Sequence, residues 1–203
     1  MEYPPAPSRP PSPAAEVHVW RAAAAAVPAD EALTRVLSRY LLPELHQLVH
    51  PVDRQVDAVR SAIELVRGEH GKPRLAAEPE RLAFNLSHSG DLVLVAVTRG
   101  REVGVDVERE KPGRDLVALA ERALSAEDAT AVRDAGEDER PHVFYALWTR
   151  HEARLKCLGI GLGRPPAWPS PPVAVESLPI DPGYAAAVAV TGDAVPVRRW
   201  TLD

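Results

Sequence analysis

The sequence has little cysteine and no long apolar run. Its single cysteine, Cys157, excludes an intrachain disulfide and favours a reducing compartment. Cys157 lies in an apolar helical stretch, where a free cysteine is more often a small buried hydrophobe than a nucleophile. No stretch reaches the roughly 20 apolar residues that a membrane-spanning helix needs, and the Pro-rich start lacks the features of a secretory signal. We therefore expect a cytoplasmic protein without membrane contact.

An excess of positive charge is also missing. The net charge is −5, so nothing in the overall electrostatics indicates nucleic acid as a partner. An anionic ligand would have to be bound by local Lys, Arg and His side chains against the overall sign. The 203 residues allow one domain or two compact halves that share a core.

The order of predicted elements indicates an α+β fold. Residues 1–15 are rich in Pro, Ala and Ser and are expected to form a disordered or extended leader, followed by halves at 16–100 and 101–203. Each half offers a long helix, a loop with Gly and Pro, and paired strands, which suggests a duplicated unit. Predicted strands are Glu16–Arg21, Leu82–Ser87, Leu92–Thr98, Val103–Glu108, Tyr184–Val190 and Val195–Leu202. Predicted helices begin near Glu31, after Pro51 and near Asp115, and a strong one spans Pro141–Leu158.

Two carboxylates stand two residues apart in the predicted strand Val103–Glu108. Alternation places its valines toward the core and both Asp106 and Glu108 on the other face, where they repel each other unless a cation lies between them. Gly104 precedes them on that face and would let a ligand approach closely. The competing interpretation is the solvated polar face of an edge strand.

A row of side chains along the predicted helix Pro141–Leu158 adds to this pair. Trp148, Glu152 and Lys156 follow one another at intervals of four residues, although a Glu and a Lys at this spacing also form ordinary surface pairs. Hard cations such as Mg²⁺ bind through carboxylates and phosphate oxygens, and Lys156 is one turn away from Glu152 to reach a phosphate.

A third segment, Phe84–Gly90, carries hydroxyl, imidazole and turn amide groups that suit an anion. A Ser–His hydrolase is the alternative interpretation of this segment. It is disfavoured because Ser87 and His88 are adjacent and face opposite ways on a strand, and because no G-x-S-x-G elbow is present.

These three segments together resemble the 4'-phosphopantetheinyl transferases, specifically the monomeric type that activates polyketide and nonribosomal peptide synthases. The family signature FNxSHSG, (V/I)G(V/I)D(V/I)E and W(T/S)xKExxxK is similar to Phe84–Gly90, Val103–Glu108 and Trp148–Lys156, in the same order. The GKP of Gly71–Pro73, the GIGL of Gly159–Leu162 and the GYAAAVAV of Gly183–Val190 extend the resemblance over roughly residues 50–190.

The resemblance implies a 4'-phosphopantetheinyl transferase fold, a pseudo-twofold pair of α+β halves with the active site between them. It implies transfer of 4'-phosphopantetheine from coenzyme A to a serine of an acyl, peptidyl or aryl carrier protein by a monomer that uses Mg²⁺, with Mn²⁺ as a possible substitute. Asp106, Glu108 and Glu152 would bind the metal, and Glu152 or a water that it holds would act as the base.

The resemblance also implies the residues that contact coenzyme A. Ser87 and His88 match positions at the nucleotide 3'-phosphate, Lys72 borders the adenine, and Lys156 lies near the pyrophosphate. Arg54 is a further candidate for a phosphate contact, with a solvated surface role equally plausible. Asp128, or Glu127 if the alignment slips by one, matches the acid of the (F/L)SxxE motif.

One departure from the family pattern is His151, which stands where the family usually has Lys. A histidine with a raised pKa would carry a positive charge there, so we expect a functional substitution and a rate that depends on pH between roughly 6 and 8. The bland alternative is packing beside Trp148.

Two other functions remain open: a catalytically weak homologue that acts as a scaffold for carrier proteins or coenzyme A, and another Mg²⁺-dependent nucleotide enzyme on the same fold. His46 and His50 have a spacing that can bind zinc, but no Cys or acid completes a set.

Overall fold

The computed structural model describes residues 3–5, 7, 10–45, 63–68, 71–76, 81–161 and 171–203. The described elements confirm the expected α+β class. The strands are β1 Val17–Ala23, β2 Leu65–Arg67, β3 Pro73–Leu75, β4 Leu82–Ser89, β5 Leu92–Arg99, β6 Val103–Arg109, β7 Val173–Ser177, β8 Tyr184–Thr191 and β9 Val197–Thr201. The helices are α1 Ala29–Leu45, α2 Leu116–Ala123, α3 Ala126–Asp134 and α4 Arg140–Leu158.

The first sheet has the strand order β4-β5-β1-β9. Its pairs are antiparallel except for β1 and β9, which run parallel. The face that carries Trp20 and Phe84 packs against Val36 and Leu37 of α1. Because β1 is covered on both faces, its side chains are almost all buried, which explains why His18 is 0 % exposed.

The second sheet has the order β6-β8-β7 and is antiparallel throughout. Val103, Val105 and Val107 point into the layer between the two sheets, where they meet Val19 and Leu94 of the first sheet. All three valines are 0 % exposed, which confirms the inward alternation predicted for this strand. Helix α4 covers the other face of the second sheet, and β6 therefore lies between α4 and the first sheet.

Several predicted elements differ from the structure. The polar stretch after Leu124 contains α3, whose first turn is capped by Ser125, and β7 was not predicted. The helix expected after Pro51 lies mostly outside the described residues, and its expected last turn is strand β2 instead.

The described residues of the leader, which was expected to be disordered or extended, make contacts with the first sheet. Tyr3 is 7 % exposed, the Thr201 amide donates to the Pro4 carbonyl, and the Arg99 amide donates to the Pro13 carbonyl. The pseudo-twofold relation of two halves and the boundary near residue 100 stay predictions. Of the helices that the structure describes, none combines the length and apolar character needed to cross a membrane.

Candidate active site

The site is built where α4 crosses β6 at Gly104. A Cβ added to Gly104 would lie 2.1 Å from the Ala153 carbonyl oxygen and 2.3 Å from the Cys157 amide nitrogen, so only glycine lets the helix approach this closely. The expectation that Gly104 leaves room for a ligand is wrong, because the backbone of α4 fills that space. The close crossing brings Glu152 and Lys156 beside Asp106, the next residue on the same face of β6.

Lys156 joins α4 to the buried acid of β6. Its Nζ donates to Asp106 Oδ1 at 2.6 Å and to Ser87 Oγ at 3.1 Å, and Ser87 Oγ donates to the same Asp106 oxygen at 2.9 Å. The Asp106 side chain is 4 % exposed and that of Lys156 is 30 % exposed, so the ammonium reaches inward from the surface. Burial raises the pKa of Asp106, against the opposing effect of the Lys156 charge.

Glu152 completes a cluster of three carboxylates. Burial, reinforced by the negative charges of Asp106 and Glu108, raises the pKa of Glu152 to about 7. Two buried carboxylate oxygens of the cluster, Asp106 Oδ2 and Glu152 Oε1, have no hydrogen-bond partner among the residues that the structure describes. Unpaired buried acceptors of this kind are costly, and a cation or a donor group of a ligand would satisfy them.

The donor set of this cluster fits a hard divalent cation. It offers carboxylate oxygens, which Mg²⁺ prefers, and Asp106 and Glu152 each present an oxygen without a partner. No three His, Cys, Asp or Glu side chains of the described ranges are already gathered closely enough to enclose an ion. Lys156 is the cation that now neutralises part of the cluster.

The Phe84–Gly90 segment forms strand β4 and its turn, and its polar side chains separate as the alternation predicted. Ser87 is 6 % exposed and points toward β6, whereas His88 is exposed on the opposite face. Their separation leaves the Ser–His hydrolase without support. The contact of Ser87 and His88 with the 3'-phosphate of coenzyme A stays a prediction. The Ser87 hydroxyl already forms hydrogen bonds with Asp106, Lys156 and the Val107 amide.

Lys72 acts as a clamp within the protein. Its Nζ donates to Glu102 Oε2 at 2.7 Å and to the carbonyl oxygens of Val103 and Cys157, each at 3.0 Å. These three bonds use all three protons of the ammonium, and the side chain is 8 % exposed. Lys72 thus ties the loop before β3 to the start of β6 and the end of α4.

An open cleft of about 290 Å³ lies beside Lys72, at the beginning of β4. Its lining includes Arg74, Arg81 and Arg101, none of which was predicted as a site residue. Arg81 has a φ of 56°, a left-handed conformation that non-glycine residues rarely adopt. No local motif marks these arginines, because strand pairing brings them together.

His151 is half-buried, and burial lowers its pKa in spite of the nearby Asp128 carboxylate. The raised pKa that a positive charge at this position would require is therefore not found. Asp128 itself bonds to the Ser125 hydroxyl at 2.8 Å in the first turn of α3. Arg54 and the His46–His50 pair lie outside the described residues.

Cys157 is 0 % exposed, and burial raises the pKa of its thiol to about 11. A thiol in that state is a poor nucleophile. Its structural interpretation as a small buried side chain is confirmed.

The segment that contains Asp106, Glu108, Glu152 and Lys156 is similar to known proteins. Residues 102–193 match the model of the 4'-phosphopantetheinyl transferase superfamily. The chain is 28 % identical over 222 residues to the 4'-phosphopantetheinyl transferase HetI of Nostoc sp., an alignment that covers 91 % of this chain and 92 % of the relative. It is 32 % identical over 114 residues to the 4'-phosphopantetheinyl transferase Sfp of Bacillus subtilis, covering 56 % of this chain and 49 % of Sfp. It is 36 % identical over 96 residues to AcpT of Escherichia coli K12, again about half of each chain, 47 % and 49 %.

Proposed function

Because the chain belongs to the 4'-phosphopantetheinyl transferase superfamily, we propose that it transfers 4'-phosphopantetheine from coenzyme A to a serine of an apo carrier protein and releases 3',5'-ADP. The observation that carries this proposal is the cluster of buried Asp106 with the half-buried Glu108, Glu152 and Lys156, which lies within the matched segment. Polyketide and nonribosomal peptide synthases are the proposed sources of the carrier protein, and the proposed enzyme is a cytoplasmic monomer.

Asp106, Glu108 and Glu152 are the proposed ligands of Mg²⁺, for which Mn²⁺ can substitute. When bound, the metal would neutralise negative charge on the pyrophosphate of coenzyme A. The unpartnered oxygens of Asp106 and Glu152 support this proposal, because both are buried carboxylate acceptors.

In the proposed reaction the serine oxygen forms a bond to the β-phosphorus, and the bond from that phosphorus to the oxygen of 3',5'-ADP breaks. Glu152, directly or through a water, accepts the serine proton. Its pKa of about 7 suits that role near neutral pH. Lys156 stabilises the negative charge that spreads over the phosphates, from its position at the partly exposed edge of the cluster.

The basic cleft beside Lys72 supports coenzyme A as the donor. Ala83 lines that cleft and lies on the same face of β4 as Ser87 at the acidic cluster, four residues farther along, which is about 13 Å in an extended strand. An elongated, multiply charged ligand can therefore lie with one end near Arg81 and its reactive end near Glu152.

Intact-mass spectrometry of an apo carrier protein, incubated with this protein, coenzyme A and Mg²⁺, tests the proposal. We expect a gain of about 340 Da, the mass of one covalently attached phosphopantetheine, and none with chelator or with Glu152→Ala. Glu31→Ala, which removes an exposed carboxylate of α1, should leave the gain intact. Absence of the gain across several carriers, with coenzyme A binding retained, would favour the scaffold role. Conversion of a different nucleotide would favour another enzyme activity.

A further inference from the structure

Side chains of β4 accept hydrogen bonds from backbone amides of β6. In an ordinary pair of strands, backbone carbonyls would accept these bonds. The Val105 amide donates to Asn85 Oδ1 at 2.9 Å, the Val107 amide to Ser87 Oγ at 3.2 Å, and the Arg109 amide to Ser89 Oγ at 3.1 Å. Each step of two residues along β4 matches a step of two along β6, so the strands run side by side in the same direction. We call this set of three bonds the amide ladder.

The amide ladder provides hydrogen-bond acceptors for the backbone amides at one edge of the second sheet. Strand β6 pairs with β8 on one side, and no strand among the described residues pairs with it on the other, where its amides would be buried without acceptors. Asn85, Ser87 and Ser89 are 5 %, 6 % and 7 % exposed, which confines their side chains to this contact.

The two serines of the ladder also bind the carboxylates of β6. Ser87 Oγ donates to Asp106 Oδ1 at 2.9 Å, and Ser89 Oγ donates to Glu108 Oε2 at 2.8 Å. A hydroxyl has one proton to give and can accept as well, so each serine accepts an amide proton of β6 and gives its own proton to the adjacent acid. The same arrangement occurs twice, two residues apart.

We propose that Ser89 is a positioning residue, which holds the Glu108 carboxylate in the orientation used by the metal site, and that Ser87 does the same for Asp106. This inference rests on the proposed function. With Asp106 Oδ1 occupied by Ser87 and Lys156, its other oxygen is the one without a partner. The serines thus decide which carboxylate oxygens stay free, as partners of metal ligands do in known metal sites.

Of the two serines, Ser89 allows the positioning of a carboxylate to be tested separately from contacts with Lys156. Ser87 also contacts Lys156, so a change there alters several groups of the cluster at once. The Ser89 hydroxyl contacts only the Arg109 amide and the Glu108 carboxylate among the hydrogen bonds described. Ser89→Ala removes both contacts, whereas Ser89→Thr keeps a hydroxyl able to make them.

The test is Mn²⁺ binding by the full chain, measured by electron paramagnetic resonance without coenzyme A or carrier. We expect Ser89→Ala to weaken Mn²⁺ binding about 10-fold, and Ser89→Thr to restore most of it. In a Glu108→Ala background, Ser89→Ala should change the affinity by less than about twofold, because the group on which it acts is gone. Ser38→Ala removes a serine hydroxyl of α1 that donates to the Arg35 carbonyl within the helix, and this variant should bind Mn²⁺ like the wild type.

Equal losses in both backgrounds, or unchanged Mn²⁺ binding by a folded Ser89→Ala protein, would overturn the assignment, as would a wild type that binds no Mn²⁺. The measurement is independent of the reaction. The expected coupling together with no mass gain on any carrier would refute the proposed transfer while the positioning role stands. A mass gain without the coupling would refute the positioning role alone.

Discussion

Gly104 of β6 and Ala153 of α4 are in backbone contact, with 2.1 Å between the Ala153 carbonyl oxygen and the position of a Cβ on Gly104. This contact sets how close the helix lies to the strand. The reach of Lys156 to Asp106 depends on that separation, because the side chain spans the gap to a buried oxygen at 2.6 Å. One glycine therefore couples the packing of the sheet to the geometry of the cluster.

Gly104→Ala should destabilise the protein and impair transfer together. The added methyl group meets backbone atoms of Ala153 and Cys157, which move only if the whole helix moves. We expect a loss of about 1–3 kcal/mol in the free energy of unfolding, typical of overpacking, measured by urea denaturation. Gly136→Ala is the matched control, since nothing lies within 4 Å of its Cβ position, and should change the stability by about 0.5 kcal/mol or less. A Gly104→Ala protein as stable as the control would show that α4 can move away from β6 without a loss of stability.

Lys156→Met should remove most of the activity. The substitution leaves the buried Asp106 without its cation and takes away the charge proposed to stabilise the transferred phosphate. We expect kcat/KM to fall about 10²–10³-fold in the carrier-modification assay, the range seen when one such donor is lost. Lys111→Met makes the same chemical change at an exposed position and should retain activity. Activity within about twofold of wild type in Lys156→Met would contradict the assigned role.

Local patterns predicted much of the fold around the site. The apolar stripe of α4 predicted its start within one residue of Arg140, and alternation predicted β4, β5 and β6 within two residues. Helix α3 was missed because few apolar side chains mark it, although Ser125 followed by Asp128 is a helix-start signal. Strand β2 was predicted as the end of a helix because Val66 continues the helical spacing of the apolar residues from Val52 to Ile63, and three residues are too few to show the alternation of a strand.

The sequence predicted which residues form the candidate site, but not which hydrogen-bond partners they have. The acids were singled out because their spacing puts them on one face of a strand. The bond from Lys156 to Asp106, the amide ladder and the clamp at Lys72 all join segments far apart in the chain. Such contacts depend on how closely α4 and β4 approach β6, which no local periodicity encodes.

Glu152→Gln should make the protein more stable at pH 8 while it abolishes transfer. Burial and neighbouring acids raise the pKa of Glu152 to about 7 from 4.5, so the folded state holds a proton that the unfolded state has released. The contribution of Glu152 to stability therefore falls as pH rises from about 4.5 to 7, and Gln removes that loss. The gain should be on the order of 1 kcal/mol at pH 8 and shrink toward pH 5, measured by urea denaturation with chelator. Glu31→Gln, at an exposed ion pair, should show no such pH-dependent gain. A Glu152→Gln protein less stable than wild type at pH 8 would refute the argument.

His18 lies in a buried chain of hydrogen bonds that the proposed reaction does not use. Trp20 Nε1 donates to Tyr40 Oη at 2.8 Å, so the single phenolic proton is left to donate to His18 Nδ1 at 2.8 Å. His18 Nε2 then donates to Glu16 Oε1 at 2.7 Å, and Arg198 donates to the other oxygen of that carboxylate. This direction of bonding requires a neutral imidazole with its proton on Nε2.

The last prediction follows from that neutral state: the stability that His18 contributes should be lost as the pH falls below about 6.5. Burial lowers the pKa of His18 below its ordinary value, although Glu16 acts in the opposite direction, so the unfolded state binds a proton before the folded state does. Glu16 adds to the loss at lower pH, because His18 and Arg198 lower its pKa despite its burial. His18→Gln should be less stable at pH 7, by about 1–3 kcal/mol for the lost buried bonds, yet lose less on going from pH 7 to 5. His142→Gln, at an exposed histidine, should keep the wild-type slope in the same urea titrations. If both variants show the wild-type slope, the acid sensitivity originates elsewhere and His18 does not set it.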